Sequence, residues 1–198
     1  MDKPHDQSAY RYARHRIIGL EIDDDRGSQD NKDTLRDVRK AVILSDTHAS
    51  SVEEMPAAFR RVLTDGDLII HAGDYTGKRL LDELQNSGIY FRGVYGNMDP
   101  RPVREGLHAE EVLEIQGIKI GIAHPAEGGA PWGIERRLLR KFGGVNLIIY
   151  GHTHTVVNEV KGGITYINPG SAMGKFPAPY PSIAVLELPA LSVMIRRA

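Results

Sequence analysis

Five apolar stretches of this sequence end at polar side chains of the kinds that bind metal ions. The clearest is the run of residues 147–150, which stops at Gly151-His152-Thr153-His154. A buried strand that ends in this way places two imidazoles at the edge of a sheet, where open α/β folds collect their ligands. The histidine pair alone carries little weight, because core or rim histidines satisfied by hydrogen bonds explain it equally well.

Four earlier stretches end in comparable residues: Asp46 and His48 follow residues 41–44, Asp74 follows residues 67–72, Asn97 follows residues 89–95, and His124 follows residues 118–123. Taken singly, each residue is explained as a turn, a cap or a surface side chain. Together the five strand ends offer two carboxylates, one carboxamide and four imidazoles. This set of nitrogen and oxygen donors suits divalent Mn, Fe, Co, Ni or Zn.

Seven ligands are too many for one ion and fit two ions that share a carboxylate. Two ions ~3.5–4 Å apart that bridge a water lower the pKa of that water and stabilise both ends of an in-line displacement at phosphorus. Glycines precede Asp74, Asn97 and His152, where the corner between strand and loop needs a tight backbone. The pattern therefore predicts a metal-dependent reaction on a phosphate ester.

The elements that position these side chains change character along the chain. The first half alternates strands with amphipathic helices, and the second half consists mainly of hairpins. The predicted strands are residues 41–44, 67–70, 89–95, 111–115, 118–122, 147–150, 156–160, 165–167, 182–188 and 191–195, and the predicted helices are residues 56–63, 78–85 and 134–142. A mixed sheet, or two sheets packed face to face with helices outside, accounts for both halves.

Composition limits the class of protein. A chain of 198 residues with 41% hydrophobic and 26% charged residues is typical of one soluble globular domain. A net charge of −1 gives no electrostatic case for binding nucleic acid or a membrane surface. The sequence has no cysteine, which excludes disulfides and thiolate metal sites. No apolar run approaches the ~18 residues of a membrane span and no signal peptide is evident, so a cytoplasmic location is predicted.

Residues 1–39 differ from the rest of the chain. They contain one short apolar patch at residues 17–20, followed by a polar run at residues 23–31. Such a segment cannot bury enough surface to offset its ordering entropy, so we predict a flexible or loosely docked arm before a domain of residues 40–198. The alternative is that the patch docks on a neighbouring subunit, which would make the protein a homo-oligomer.

The order Asp-x-His, Gly-Asp, Gly-Asn, His and Gly-His-x-His resembles the calcineurin-like metallophosphoesterases. Gly96-Asn97-Met98-Asp99 and Asn168-Pro169-Gly170-Ser171 are similar to segments of their small archaeal and bacterial phosphodiesterase branch, which includes the retromer scaffold subunit of eukaryotes. The resemblance runs from about Lys40 to the C-terminus. It implies a four-layer α-β-β-α sandwich in which two mixed β-sheets pack face to face.

The resemblance also implies a role for each strand-end residue. The first ion would be held by Asp46, His48, Asp74 and His154, and the second by Asp74, Asn97, His124 and His152. Asp74 would bridge two divalent ions, with manganese expected first and nickel, iron, cobalt or zinc as alternatives. A metal-bridging hydroxide would attack a small-molecule phosphodiester while Asn97 and His152 position the ester.

Two positions depart from the family pattern. Many members have a histidine directly after the asparagine, where it can protonate the leaving oxygen, but this chain has Met98. A general acid contributes about 10²–10⁴-fold in rate, so esters with good leaving groups are expected to be favoured. Asp99 is a candidate substitute acid, or a residue that holds a ligand histidine from behind. The other departure is Pro125, which stands after His124 where glycine is common.

Two alternatives to a phosphodiesterase follow from the same observations. A non-catalytic scaffold of the same fold would be favoured by the loss of ligands, and all seven are present. A nuclease is disfavoured by the near-neutral charge, and a salt-dependent affinity for nucleic acid would revive that alternative.

Overall fold

The structure, a computed structural model, describes residues 35–126 and 133–198. The arm predicted for residues 1–39 therefore lies mostly outside the described residues. A 3-10 turn at Leu35–Asp37 leads into the first strand, and Leu35 and Val38 are buried in the main core.

The described chain forms helices and strands close to those that the sequence predicts. The strands are β1 (Lys40–Leu44), β2 (Leu68–Ala72), β3 (Tyr90–Val94), β4 (Glu110–Ile115), β5 (Ile118–Ala123), β6 (Leu147–Tyr150), β7 (Val157–Lys161), β8 (Ile164–Asn168), β9 (Ser182–Glu187) and β10 (Ser192–Arg197). The helices are α1 (Ala57–Thr64), α2 (Lys78–Gln85), α3 (Arg101–Arg104) and α4 (Ile134–Lys141), with a further 3-10 turn at Val52–Glu54.

The first sheet has the strand order β10-β9-β1-β2-β3. Strands β1, β2 and β3 are parallel, with Ile43 opposite Ile70. The other neighbour of β1 is β9, which runs antiparallel to it and pairs with β10. Strands β1 and β2 are buried on both faces apart from Lys40, because both faces of this sheet are covered.

The second sheet has the strand order β4-β5-β6-β8-β7. Strands β5, β6 and β8 are parallel, and the hairpins β4-β5 and β7-β8 add an antiparallel strand at each edge. The sequence predicts these hairpins and the antiparallel β9-β10 pair. It does not predict that β9 and β10 return to the first sheet.

The main core lies between the two sheets. Ile43 and Ile70 of the first sheet pack there with Ile122 and Ile149 of the second. The opposite faces are covered by helices, since Val42 and Leu44 pack in one cluster with residues of α1 and α2, and Ile148 packs in another with residues of α4. The four-layer α-β-β-α sandwich is thus confirmed. None of the helices in residues 35–126 and 133–198 is long and apolar enough to span a membrane.

Candidate metal centre

The seven predicted ligands converge where parallel strands of both sheets reach their carboxyl ends. Asp46 and His48 follow β1, Asp74 follows β2, Asn97 follows β3, His124 follows β5, and His152 and His154 follow β6. Parallel strands place the loops at their carboxyl ends along the same edge of a sheet. The two sheets pack with these edges next to each other. The sandwich thereby gathers residues that are far apart in sequence.

The first ligand group consists of Asp46, His48 and His154. Asp46 Oδ1 lies 3.2 Å from His154 Nε2, and His48 Nε2 lies 3.3 Å from the same nitrogen. One donor atom from each residue lies within 4.8 Å of the others, which is close enough for all three to bind one ion. Asp46 is fully buried, whereas the two histidines are partly accessible.

The second ligand group consists of Asn97, His124 and His152. Asn97 Oδ1 lies 3.2 Å from His124 Nε2 and 3.1 Å from His152 Nδ1. Asp74 lies between the groups, because its Oδ2 is 3.3 Å from His124 Nε2 and 3.8 Å from His48 Nε2. Asp46 also approaches both sides, since it forms a second compact trio with Asp74 and His124.

The backbone at these residues is unusual. Five of the seven predicted ligands have positive φ angles: Asp46 (50°), His48 (46°), Asp74 (59°), His152 (79°) and His154 (56°). The left-handed region is uncommon for residues other than glycine, and it costs energy that the surrounding structure must supply. In the described chain only three further non-glycine residues adopt it, which sets the strand ends apart from ordinary turns.

Two of the glycines before ligands are required for space rather than for a positive φ. A Cβ at Gly96 would overlap Asp74 Oδ1, and a Cβ at Gly151 would overlap Ser45 Oγ. Only glycine lets these corners approach the neighbouring loop so closely. The tight backbone that the sequence predicts is therefore present, and its cause is contact between loops.

Backbone carbonyls orient two of the histidines. His124 Nδ1–H donates to the carbonyl oxygen of Ala72 (2.7 Å), and His154 Nδ1–H donates to that of Lys175 (2.9 Å). Both rings consequently direct Nε2 into the site. Metal-binding histidines are held in this manner, with the outer nitrogen hydrogen-bonded and the inner one available. Pro125 follows His124 without displacing its ring from the group.

Charges in the site favour a cation. The hydrogen bond to Asp46 raises the pKa of His154 to about 9. Burial lowers the pKa of His124, but the hydrogen bond to Asp74 and the nearby carboxylates outweigh burial, so that the pKa is raised overall. Positive charge is thus stabilised where the carboxylates meet the imidazoles, as a metal-binding site requires. Burial lowers the pKa values of His48 and His152, which favours the neutral rings that ligate metals.

Asp99 and Arg104 contact the backbone of the ligand loops. Asp99 accepts hydrogen bonds from the backbone N–H groups of Asp74, Thr76 and Gly96. Burial raises the pKa of Asp99 although these N–H groups oppose that shift. That Asp99 acts as a general acid stays a prediction. Its hydrogen bonds to the backbone hold the loops that carry the ligands in position. Arg104 donates to carbonyl oxygens of this loop. No sequence signal marks contacts of a side chain with distant backbone groups.

Two packed mixed sheets with this ligand set are features of metallophosphoesterases, a class of hydrolases. The chain belongs to the calcineurin-like phosphoesterase superfamily, because a sequence model of that superfamily's domain matches residues 40–190. The resemblance noted from the motifs is therefore confirmed, and with it the assignment to a metal-binding class of hydrolases.

Individual relatives give the same classification. A probable metallophosphoesterase of Methanocaldococcus jannaschii is 40% identical over 132 residues, which are 65% of this chain and 66% of that relative, just under two thirds. A phosphodiesterase of the same organism is 27% identical over 75% of this chain and 92% of its own length. Wild-type Vps29 of Entamoeba histolytica, solved in complex with Zn²⁺, has a TM-score of 0.63 and 27% identity, covering 80% of this chain and 98% of that one.

Proposed function

We propose that this protein is a phosphodiesterase that binds two divalent metal ions between the ligand groups. The observation that carries the proposal is the convergence of seven metal-binding side chains around Asp74, with facing donor atoms 3.1–3.9 Å apart. The first ion would be held by Asp46, His48, Asp74 and His154, and the second by Asp74, Asn97, His124 and His152. Manganese is the expected ion, with nickel, iron, cobalt and zinc as alternatives.

The donor set fits such ions. It contains only nitrogen and oxygen atoms, its carboxylates are buried, and carbonyl oxygens fix the orientation of two imidazoles. When bound, two such ions lower the pKa of a water molecule and stabilise the negative charge that develops on the phosphoryl group. The structure of Entamoeba histolytica Vps29 in complex with Zn²⁺ supports binding of a divalent metal by a protein of this fold.

The side chains of the second group define where an ester would bind. Asn97 is exposed and His152 is only partly buried, so this side of the centre is open to a substrate. His152, whose pKa is lowered by burial, is neutral at physiological pH and can orient the ester through a ring nitrogen. We therefore assign Asn97 and His152 to positioning of the phosphate and to stabilisation of its charge.

Met98 limits the range of esters. Its side chain is 59% exposed directly beside Asn97, and a thioether cannot donate a proton to a departing alkoxide. Diesters and esters with good leaving groups are therefore the proposed small-molecule substrates, and simple alkyl phosphates would react slowly. A cytoplasmic location and a homo-oligomeric state accompany this proposal as predictions from the sequence.

The test combines metal content with hydrolysis of bis-p-nitrophenyl phosphate. After chelation, the protein is reloaded with Mn²⁺, Ni²⁺ or Zn²⁺, and bound metal and turnover are measured on the same sample. We expect about two ions per chain and activity restored by metal. Asp74→Asn should lose both the metal and the activity, and Asp82→Asn is its matched control, because Asp82 is a carboxylate on α2 that pairs with Lys78. Binding of no metal, or of a single ion with full activity, would overturn the two-ion proposal.

A non-catalytic scaffold is the second candidate, favoured by the likeness to Vps29. In the same experiment a scaffold would bind metal without hydrolysing any ester. Because all seven candidate ligands are present, we rank the scaffold below the enzyme.

A further inference from the structure

Asn97 needs a rigid backbone to serve as a ligand. Its side chain is exposed, and its Oδ1 faces His124 and His152, which are themselves candidate ligands. These two hydrogen bonds join donor atoms that would turn to a bound metal, so they would not hold Asn97 in the metal-bound site. The position of Asn97 must therefore be set by the loop that carries it, residues 95–100.

Asp99 joins this loop to the loop that carries Asp74. Its Oδ2 accepts the backbone N–H groups of Asp74 (3.0 Å) and Gly96 (2.7 Å), and its Oδ1 accepts that of Thr76 (2.8 Å). The side chain is 3% exposed, so these bonds form away from water. Asp74 and Thr76 both have positive φ angles, and the carboxylate satisfies N–H groups that this unusual backbone directs to one point.

Arg104 binds the same loop through two of the loop's backbone carbonyl groups. Its Nε donates to the carbonyl oxygen of Asp99 (2.8 Å) and its Nη2 to that of Asn97 (2.6 Å), while the guanidinium lies over the ring of Tyr95. A planar guanidinium can make both bonds at once, which a lysine ammonium cannot do in the same fixed geometry. Asn97 is thus bonded through its own carbonyl to a side chain anchored on α3.

We propose that Asp99 and Arg104 are positioning residues that set the second metal ion's ligands, and that Arg104 acts mainly through Asn97. This inference rests on the proposed two-ion centre and adds the residues on which its second half depends. In these hydrogen bonds Arg104 contacts only the loop of Asn97, so its loss should affect one ion, whereas Asp99 also accepts the N–H of Asp74, which would serve both ions. Changes to residues that orient metal ligands typically cost about 10–100-fold in metal affinity.

The experiment measures stepwise Mn²⁺ binding by calorimetry and electron paramagnetic resonance in Arg104→Ala and in the matched control Arg101→Ala. Arg101 lies on the same helix, its side chain is 88% exposed, and it pairs with Glu105. We expect Arg104→Ala to weaken binding of one ion by about 10–100-fold and to leave the other unchanged, with loss of the spin-coupled two-manganese signal at subsaturating metal. Arg101→Ala should bind both ions as the unmodified protein does.

Two further variants separate positioning from general stability. Arg104→Lys should recover little of the affinity because it cannot bond both carbonyls. Asp99→Asn should weaken both ions, because an amide group cannot accept from all three N–H donors and one of those donors belongs to the shared ligand Asp74. Thermal unfolding of the metal-free variants shows whether they fold. The proposal is overturned if folded Arg104→Ala binds both ions with unchanged affinity, or if both affinities fall equally. If the unmodified protein itself binds fewer than two ions, the two-ion function fails instead.

Discussion

The two ligand groups of the candidate centre differ in how the protein holds them. In the first group Asp46 is fully buried, and Ser171 Oγ donates to its backbone carbonyl at 2.7 Å. The same Oγ accepts the N–H of Lys175, whose carbonyl accepts the proton of His154. In the second group Asn97 is exposed, and its loop is held by Asp99 and Arg104.

This difference separates two tasks. In the proposed two-ion centre the first group, whose Asp46 is buried and bonded to Ser171, would keep its ion without help from substrate. The second group opens to solvent at Asn97 and Met98, where an ester can approach. An enzyme that must both keep its metal and admit a phosphate benefits from dividing these demands between neighbouring sites. Four substitutions test how the two groups differ.

The largest effect is expected for Asp74→Asn, because Asp74 lies between both groups. A carboxamide carries no charge to balance two divalent ions, so both affinities should fall and metal-dependent hydrolysis should drop by roughly 10³-fold, corresponding to the several kcal/mol that such ions supply. Turnover of bis-p-nitrophenyl phosphate with metal content measured in parallel checks this. Retained activity in the folded variant would contradict the bridging position of Asp74.

Met98→His tests only the second ligand group, which opens to solvent at Asn97 and Met98. A histidine there can protonate a poor leaving group such as phenoxide, so hydrolysis of phenyl phosphate should rise by about 10²-fold relative to that of bis-p-nitrophenyl phosphate. Met194→His, which adds a histidine at an exposed methionine of β10, is the control. An unchanged ratio of the two rates would show that the missing acid is supplied elsewhere, with Asp99 the first residue to examine.

His71 contacts the loop of the first group and the loop of Asp74, and it should make stability depend on pH. Its Nε2–H donates to Thr47 between the first ligands, and its Nδ1 accepts the N–H of Gly73 before Asp74. Burial lowers its pKa from 6.5 to about 3. Between these values the unfolded chain binds the additional proton, so stability is complete above pH 6.5 and declines as the pH falls.

Because of His71, the free energy of unfolding should fall by about 2 kcal/mol between pH 6.5 and pH 5. Urea unfolding of the metal-free protein at both pH values, compared with His71→Asn, isolates the contribution. The variant should lack this part of the pH dependence. Equal pH dependence in both proteins, or an imidazole NMR signal that titrates near pH 6.5 in the folded protein, would refute it.

Ser171→Ala is the counterpart of the change at Arg104 and should affect the first ion. Loss of the hydroxyl leaves the Asp46 carbonyl and the Lys175 N–H without this partner, so the affinity of that ion should fall by about tenfold and the unfolding free energy by about 1–3 kcal/mol. Ser87→Ala, which removes a hydroxyl bonded to Leu84 near the end of α2, is the control. If Ser171→Ala weakened only the second ion, Ser171 would support the second ligand group and not the first.

Sequence reasoning identified much of this arrangement because strand ends leave a local signal. An apolar run followed by Gly-Asp or Gly-His-x-His predicts both the strand and the polar group at its end, and the structure brings Asp46, Asp74 and His152 together as expected. Helix α2 has the predicted bounds, since Leu80, Leu81 and Leu84 repeat at helical spacing and all face the core.

What the sequence did not indicate depends on long-range pairing. The alternating pattern of β9 predicts a strand but not its partner, because period-two alternation is the same in either sheet. Asp99 and Arg104 were not assigned to the loops because their partners are backbone groups, which every residue carries. The positive φ of His48 and His154 is likewise imposed by surrounding contacts, since histidine has no local preference strong enough to require it.

The pairing of β9 with β1 has a consequence for biosynthesis. Glu187 pairs with Lys40, so roughly 150 residues must be translated before β1 acquires its second neighbour. At ~5–20 residues per second, a ribosome needs about 8 to 30 s to do so. Throughout that interval one edge of β1 has no partner strand, and an open apolar edge is a recognised target for chaperones and for aggregation. The loop that bears Asp46 and His48 therefore matures late in translation, after the segments that bear the other candidate ligands have been synthesised.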